Sequence, residues 1–406
     1  MLKGVIFGVE DVLITNTGGQ AQAAEIIRLF KYLKSNNIQP VVLANRDWTV
    51  GTPAEAIDKL FDRIIYKFPW FIADRPGSGV PKKPSKDASR HVLNKMGWSD
   101  REVLYVGNDD ADMMTAANGG LLFLSSQWYA KQKYGITFDT PKDIARFIDV
   151  FCIRDYLWHY ELVGQEAEFY SLGTYGFLED KYKLISQDAK EAAKFGRGHP
   201  DFWIRYLLST VYFSGLSFNY IATFPSSQKG ITPSIMPETV HAFANCFHKK
   251  YLPDLIFRHS ASLKSTSTRN SGGDVDHFNQ LNTINLEKLP MFKQGKRYKA
   301  SPLTSGKTVL VIDDFCTSGY AQEAARLFIK QTGARAIGLS LLKTISKGYR
   351  EITSITPSQF DPYTAAKFSD LKFIPHAYGD GVKDATHGEI EKKLLRYDTW
   401  DWPRGV

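Results

Sequence analysis

Short blocks of consecutive apolar residues recur along the chain, each closed by a polar turn and followed by apolar positions three or four apart. Val5, Ile6 and Phe7 form the first block and run into Gly8, Glu10 and Asp11. Ile26, Ile27, Phe30 and Leu33 follow at helical spacing and predict a helix over 22–35. A second apolar run over 40–44 ends at Asn45, Arg46 and Asp47. Lys83 and Pro84 precede a helix predicted over 85–96. A strand over 103–107 then runs into the acidic stretch Asn108, Asp109, Asp110 and Asp112. Strands alternating with helices predict a doubly wound α/β domain over 1–150.

Residues 151–206 read as a helical connector with an aromatic stripe that includes Tyr156, Trp158 and Tyr160. The stripe is expected to pack between domains, with base stacking as the alternative. Arg197 and His199 lie in a glycine-rich loop that could reach a substrate, with neither singled out. A strand over 218–224 then ends in Pro225, Ser226, Ser227, Gln228, Lys229 and Gly230, ahead of a helix predicted over 237–250. Residues 258–283 are rich in Ser, Thr, Gly and basic side chains, among them Arg258, Lys264 and Arg269, and read as a surface loop or a lid. Val309 to Ile312 read as a buried strand, Asp313 and Asp314 follow, and Thr317, Ser318 and Gly319 turn the chain into a helix. A further buried strand ends at Lys343, and the aromatic end carries Trp400 and Trp402. The expected fold class is α/β, with two doubly wound parallel-sheet domains, 1–150 and 207–406, joined by the connector.

Length supports two domains, since 406 residues exceed what one core usually organises. No apolar run approaches the roughly 20 residues of a membrane span, and the start reads as a strand rather than a signal peptide, so a cytoplasmic location is expected. Cys152, Cys246 and Cys316 are far apart, which indicates neither a disulfide framework nor a zinc site. Of the formal charge of +8, +2 falls in residues 1–150 and +6 in the remainder. An anionic small molecule or a nucleic acid would each suit that excess. No helix-turn-helix or RNA-binding aromatic signature accompanies it, so a nucleic-acid role ranks last.

In their order, the segments of residues 1–150 resemble the four motifs of the haloacid dehalogenase (HAD) superfamily. The resemblance implies a nucleophilic acid at Gly8 and a general acid at Glu10. It puts the second motif's hydroxyl residue at Ala44 or Asn45, depending on register, the lysine at Lys83, and the fourth motif's leading acid at Asn108. Glycine has no group to attack phosphorus or to ligate Mg2+. Lys83, Asp109, Asp110 and Asp112 are what remain of the motif set. The expectation is a catalytically degenerate domain that serves docking to a partner protein, homo-oligomerisation or sensing.

Thr317, Ser318 and Gly319 at a predicted helix start offer orphan N–H donors and a favourable dipole to a phosphate. With the acid pair before them they resemble the phosphoribosyl-diphosphate (PRPP) motif of the type I phosphoribosyltransferases. The polar segment further upstream looks most like that of the competence-associated members. The resemblance implies that Asp313 and Asp314 fix the ribose or hold Mg2+, and that Thr317, Ser318 and Gly319 bind the 5′-phosphate. It implies further that Ser226, Ser227 and Lys229 bind pyrophosphate, and that Arg258, Lys264 and Arg269 belong to a closing lid. The family commonly has a hydroxyl residue where this chain has Ala321. The expected function is Mg2+-assisted transfer of phosphoribosyl from PRPP to a base or nucleotide-like acceptor in nucleotide metabolism. The alternative is a PRPP- or nucleotide-sensing regulator without turnover.

Overall fold

The computed structural model describes residues 2–15, 22–132, 135–177, 179–227, 236–262, 277–293 and 295–405. Its first sheet has six parallel strands in the order Trp70–Ile72, Gln39–Ala44, Gly4–Phe7, Val103–Gly107, Leu122–Ser126 and Ile136–Phe138. Helices Ala23–Ser35 and Lys86–Met96 lie where the apolar spacing puts them. Every residue of Gly4–Phe7 and Val103–Gly107 is buried, as expected for strands covered on both faces. The two pair in register, and Gly8 N–H donates to the Val106 carbonyl at 2.9 Å, so Gly8 and Asn108 leave the sheet side by side.

The second sheet runs Lys250–Tyr251, Tyr220–Thr223, Thr308–Cys316, Arg335–Thr344 and Glu168–Tyr175 in parallel, with Tyr160–Val163 antiparallel at the edge. This corrects the connector. Residues 151–206 are not helical throughout, because Tyr160–Val163 and Glu168–Tyr175 are two strands of the second sheet. Their Tyr, Phe, Leu and Val residues suit a pleated, half-buried surface. Gly173 also lets Leu342 approach to 2.9 Å from where a Cβ would stand. Asp180–Phe195 and Pro200–Ser214 are helices, and the second spans the domain boundary expected at 206.

One hydrophobic core crosses both sheets. Phe147 packs on Phe151, which packs in turn on Phe202, Tyr206 and Tyr397 from the second half, and Trp400 and Trp402 pack edge-on against Tyr32. The terminal tryptophans therefore fill core rather than present a stacking platform. Asp149 accepts from the Tyr32 hydroxyl at 3.1 Å and from Trp400 Nε1 at 2.8 Å, which satisfies the polar tips of that packing. Tyr212 donates across the same boundary to the Val103 carbonyl at 2.6 Å and approaches the Asp100 carbonyl. Tyr212→Phe is expected to cost about 1 kcal/mol in chemical denaturation. Both sheets should still unfold in one transition; two resolved transitions would contradict the shared core.

Candidate functional site

At the end of the first strand the carboxylate of Asp112 fills the space that a side chain at position 8 would occupy. A Cβ on Gly8 would meet Asp112 Oδ2 at 2.2 Å. Asp112 is buried and held on every side: Lys83 Nζ lies 2.5 Å away, and the Tyr105 hydroxyl donates at 2.7 Å. Its own N–H donates to Asp109, which caps helix Asp110–Gly119. Burial, and then the charge of Asp112, hold the Asp109 carboxyl above the usual range. Asn45, not Ala44, faces Lys83, accepting from its N–H at 2.7 Å and donating to its carbonyl at 3.1 Å. Asn108 turns its amide to the carbonyls of Ser126 and Ala130, both at 2.7 Å, and so ties two loops together. Glu10 lies in the turn after the strand, in a backbone bridge to Ile14.

This arrangement does not fit the Mg2+ that HAD enzymes use. Two of the expected acid positions are glycine and asparagine, and the carboxylate that remains at the centre is neutralised by Lys83. Among the described residues no three His, Cys, Asp or Glu side chains converge on a metal position.

The end of the second sheet differs. The strand Thr308–Cys316 extends past the expected Ile312 and keeps register with its neighbour through Asp313, opposite Ser340, to Cys316, opposite Lys343. Both acids accept from the next residue's N–H, Asp313 from Asp314 at 2.9 Å and Asp314 from Phe315 at 2.8 Å. Burial, and then Asp314, raise the Asp313 carboxyl well above its ordinary range. Lys194, from helix Asp180–Phe195, lies 3.9 Å from Asp314.

Arg258 ends a strand, Ile256–Arg258, and is buried. Its guanidinium donates to the Ser226 carbonyl at 2.6 Å, to Gln280 Oε1 at 2.8 Å and to the Thr283 hydroxyl. Burial pulls its pKa down to about 10, and Asp313 opposes that shift. Arg258 is therefore a fixed strut that joins Ser226 to Gln280 and Thr283, not an arm of a lid. Ser227 accepts from Ser262 N–H at 3.0 Å. Lys229, Lys264 and Arg269 lie outside the described residues. His199 bridges Asp188 at 2.6 Å and Asp398 at 2.9 Å, which ties a helix end to the C-terminal segment.

Helix Tyr320–Gln331 starts directly after Thr317 and Ser318, with Gly319 as its N-cap at φ +85°. A Cβ there would fall 2.4 Å from the Tyr349 ring, so both the backbone conformation and the close approach require glycine. The loop opens on a cleft of about 460 Å³ lined by Asp313, Thr317, Ser318, Tyr320, Lys347, Arg350 and His376 among others. Arg350 N–H donates to the Ser318 carbonyl at 3.1 Å, and its guanidinium donates to the Tyr320 hydroxyl at 2.8 Å. His376 pairs with Glu351 at 2.8 Å. Burial alone would raise the Glu351 carboxyl, but N–H donors from Glu166 and Ala167, with His376, hold it below the usual range. Burial pushes the Cys316 thiol up to about 12, so it is a filler rather than a nucleophile.

Lys194, Lys343, Lys347, Arg350 and His376 were not foreseen. Four of them lie on elements without a motif. Lys343 did carry a signal, a lone lysine closing an apolar strand.

The first unit is a Rossmannoid α/β domain whose strand ends meet in a closed, lysine-neutralised pocket. Residues 5–120 match the model of a family described as haloacid dehalogenase-like hydrolases. Among solved structures, a HAD-superfamily hydrolase of subfamily IA from Geobacter sulfurreducens is 16% identical over 37% of this chain and 100% of its own, with a TM-score of 0.27. A putative beta-phosphoglucomutase from Bacteroides vulgatus is 11% identical over 36% of this chain and 88% of its own, with a TM-score of 0.29. No curated protein matches the sequence. The family match ends at residue 120, ahead of the second sheet.

Proposed function

We propose that the second sheet carries a ribose-phosphate site that takes PRPP and transfers its phosphoribosyl group to a nitrogen acceptor, while the HAD-like unit is a catalytically silent scaffold. The observation that supports this reading is the junction of two chemistries in one cleft: Asp313, desolvated and with no ion-pair partner among the described residues, and two residues' distance beyond Asp314 the Thr317 to Gly319 turn at a helix N-terminus. Desolvated carboxylates suit ribose hydroxyls or a hard cation. Asp313 and Asp314 would hold Mg2+, directly or through the ribose hydroxyls, and the ion would offset negative charge on departing pyrophosphate. The chain's own part is positional. The acids accept the ribose hydroxyls, the N–H groups after Thr317 face the 5′-phosphate, and Arg258 fixes the Ser226 carbonyl beside them. The bond from C1′ to pyrophosphate breaks with its electron pair leaving on oxygen, the lone pair of the acceptor nitrogen closes on C1′, and the nitrogen's proton passes to the departing pyrophosphate or to water.

A sensor without turnover is the second reading. It is favoured by Ala321 in place of a hydroxyl residue and by Tyr320, held by Arg350 against the loop.

Calorimetric titration of PRPP with Mg2+, paired with a pyrophosphate-release assay over a panel of bases, separates the two. Binding with release supports the transferase, binding without release supports the sensor, and no binding defeats both. Asp313→Asn should abolish binding. It should also raise the stability of the free protein by about 1 kcal/mol, because it removes a carboxylate whose ionised form the fold disfavours. The sign follows from linkage: a carboxyl raised by folding binds protons more tightly in the native state, so its cost is present at neutral pH and disappears in acid. An unchanged or lowered denaturation midpoint would contradict this.

A further inference from the structure

Beneath the phosphate turn lies a buried cation with no anion to match it among the described residues. Lys343 is fully buried. Its Nζ donates to the Thr317 carbonyl at 2.5 Å, to the Gly348 carbonyl at 3.2 Å and to the carbonyl of Lys347. The rings of Tyr160 and Tyr378 cover it, with centroids at 5.2 and 5.6 Å. No carboxylate pairs with it among the described residues. Taking an ammonium group out of water without a counter-ion is costly, and carbonyl dipoles and aromatic faces offset only part of that cost. The three carbonyls join the Thr317 turn to the Lys347–Gly348 turn across the cleft floor. The group thus orients the peptide at the head of the turn and leaves a whole positive charge directly behind it.

We propose that Lys343 is the electrostatic partner of a phosphate dianion seated on the Thr317 to Gly319 turn, so that ligand binding completes an ion pair which the empty fold leaves half made. The inference rests on the ribose-phosphate reading. Lys343 does not touch the ligand; it is a positioning residue that acts through the Thr317 carbonyl and through its charge.

The surroundings set the pH dependence. Burial pushes Lys343 down to about 8. The groups that face it do not titrate there. Burial holds the Cys316 thiol near 12 and takes the His159 imidazole down to about 3. The Tyr160 and Tyr378 phenols are raised by burial. Lys347, Arg350 and His376 line the cleft above. A dianion on the turn raises the Lys343 pKa, so binding takes up a proton wherever the free protein has lost it. Affinity is then full below about pH 8 and falls as pH rises past that value.

Ribose 5-phosphate is the probe, titrated calorimetrically at about pH 8.5 in two buffers of different ionisation enthalpy. The sugar phosphate is fully dianionic there, its second pKa being about 6, and contributes no proton of its own. We expect net proton uptake by the wild-type protein and an affinity roughly tenfold weaker at about pH 9 than at about pH 7.5. Lys343→Met should bind weakly, with no uptake and no pH dependence. The wild-type uptake stands as a test even if that variant fails to fold. Binding without uptake, or equal uptake by Lys343→Met, overturns the inference while leaving the ribose-phosphate reading intact. No binding of ribose 5-phosphate at any pH overturns both.

Discussion

Gly8→Asp is expected to lower stability by about 3 kcal/mol and to create no phosphatase activity. The new Cβ alone would stand 2.2 Å from Asp112 Oδ2 and 2.8 Å from its Cγ. Asp112 has nowhere to retreat, since Lys83 at 2.5 Å and Tyr105 at 2.7 Å hold its other oxygen. Overpacking of this kind costs about 1–3 kcal/mol, and a second carboxylate beside the first adds repulsion in a desolvated pocket. Combining it with Asp112→Ala should recover most of the loss without producing turnover, because Asn108 still supplies an amide where an acid is needed. Denaturation midpoints and hydrolysis of a generic aryl phosphate decide the matter. A Gly8→Asp protein of wild-type stability that hydrolyses the ester would show the pocket to be dormant rather than closed.

Glu323→Ala is expected to cost about 4 kcal/mol and to weaken phosphate binding at a site it does not touch. Glu323 is fully buried. It accepts from Arg326 at 2.7 Å, from the Tyr349 hydroxyl at 2.9 Å and from Ile352 N–H at 2.8 Å. Removing one partner of a buried ion pair costs roughly 3–5 kcal/mol, and Arg326 would keep only the more exposed Glu166, at 2.9 Å, as counter-ion. The effect reaches the cleft through Tyr349, whose ring covers Gly319. Glu323→Gln should lose about half as much, since an amide oxygen can still accept. A denaturation series on the two variants, with ribose 5-phosphate affinity measured on each, tests this. Full affinity in a destabilised Glu323→Ala protein would show that the network carries stability alone.

The first domain was legible because it obeys local rules. Uninterrupted apolar runs marked its strands, and the helix expected over 85–96 after Lys83 and Pro84 forms as Lys86–Met96, capped by Ser85 and ended at Gly97. The degenerate positions could be named from sequence, but that Asp112 has moved into the void left by Gly8 is a packing fact with no sequence signature. In the second half the acid pair and glycine turn were visible for the same local reasons. Glu168–Tyr175 was not, since a strand whose partner lies about 170 residues away shows only a mixed apolar and polar pattern. Arg258 was misjudged because basic residues in a Ser- and Gly-rich stretch look solvated, whereas burial of a guanidinium is decided by partners that the fold brings up, here Ser226, Gln280 and Thr283.

The aromatic junction at Tyr32 also bears on how the chain is made. Helix Ala23–Ser35 is synthesised early, yet the indole that packs on Tyr32 and shares Asp149 with it belongs to residue 400. During translation the HAD-like unit therefore carries an uncovered apolar socket, with Asp149 unpaired on the indole side, until nearly all the second half has been made. Chaperone occupancy of ribosome-bound chains should persist through that interval and fall once Trp400 is free to dock. A segment made long after it thereby acts as a latch for the HAD-like unit.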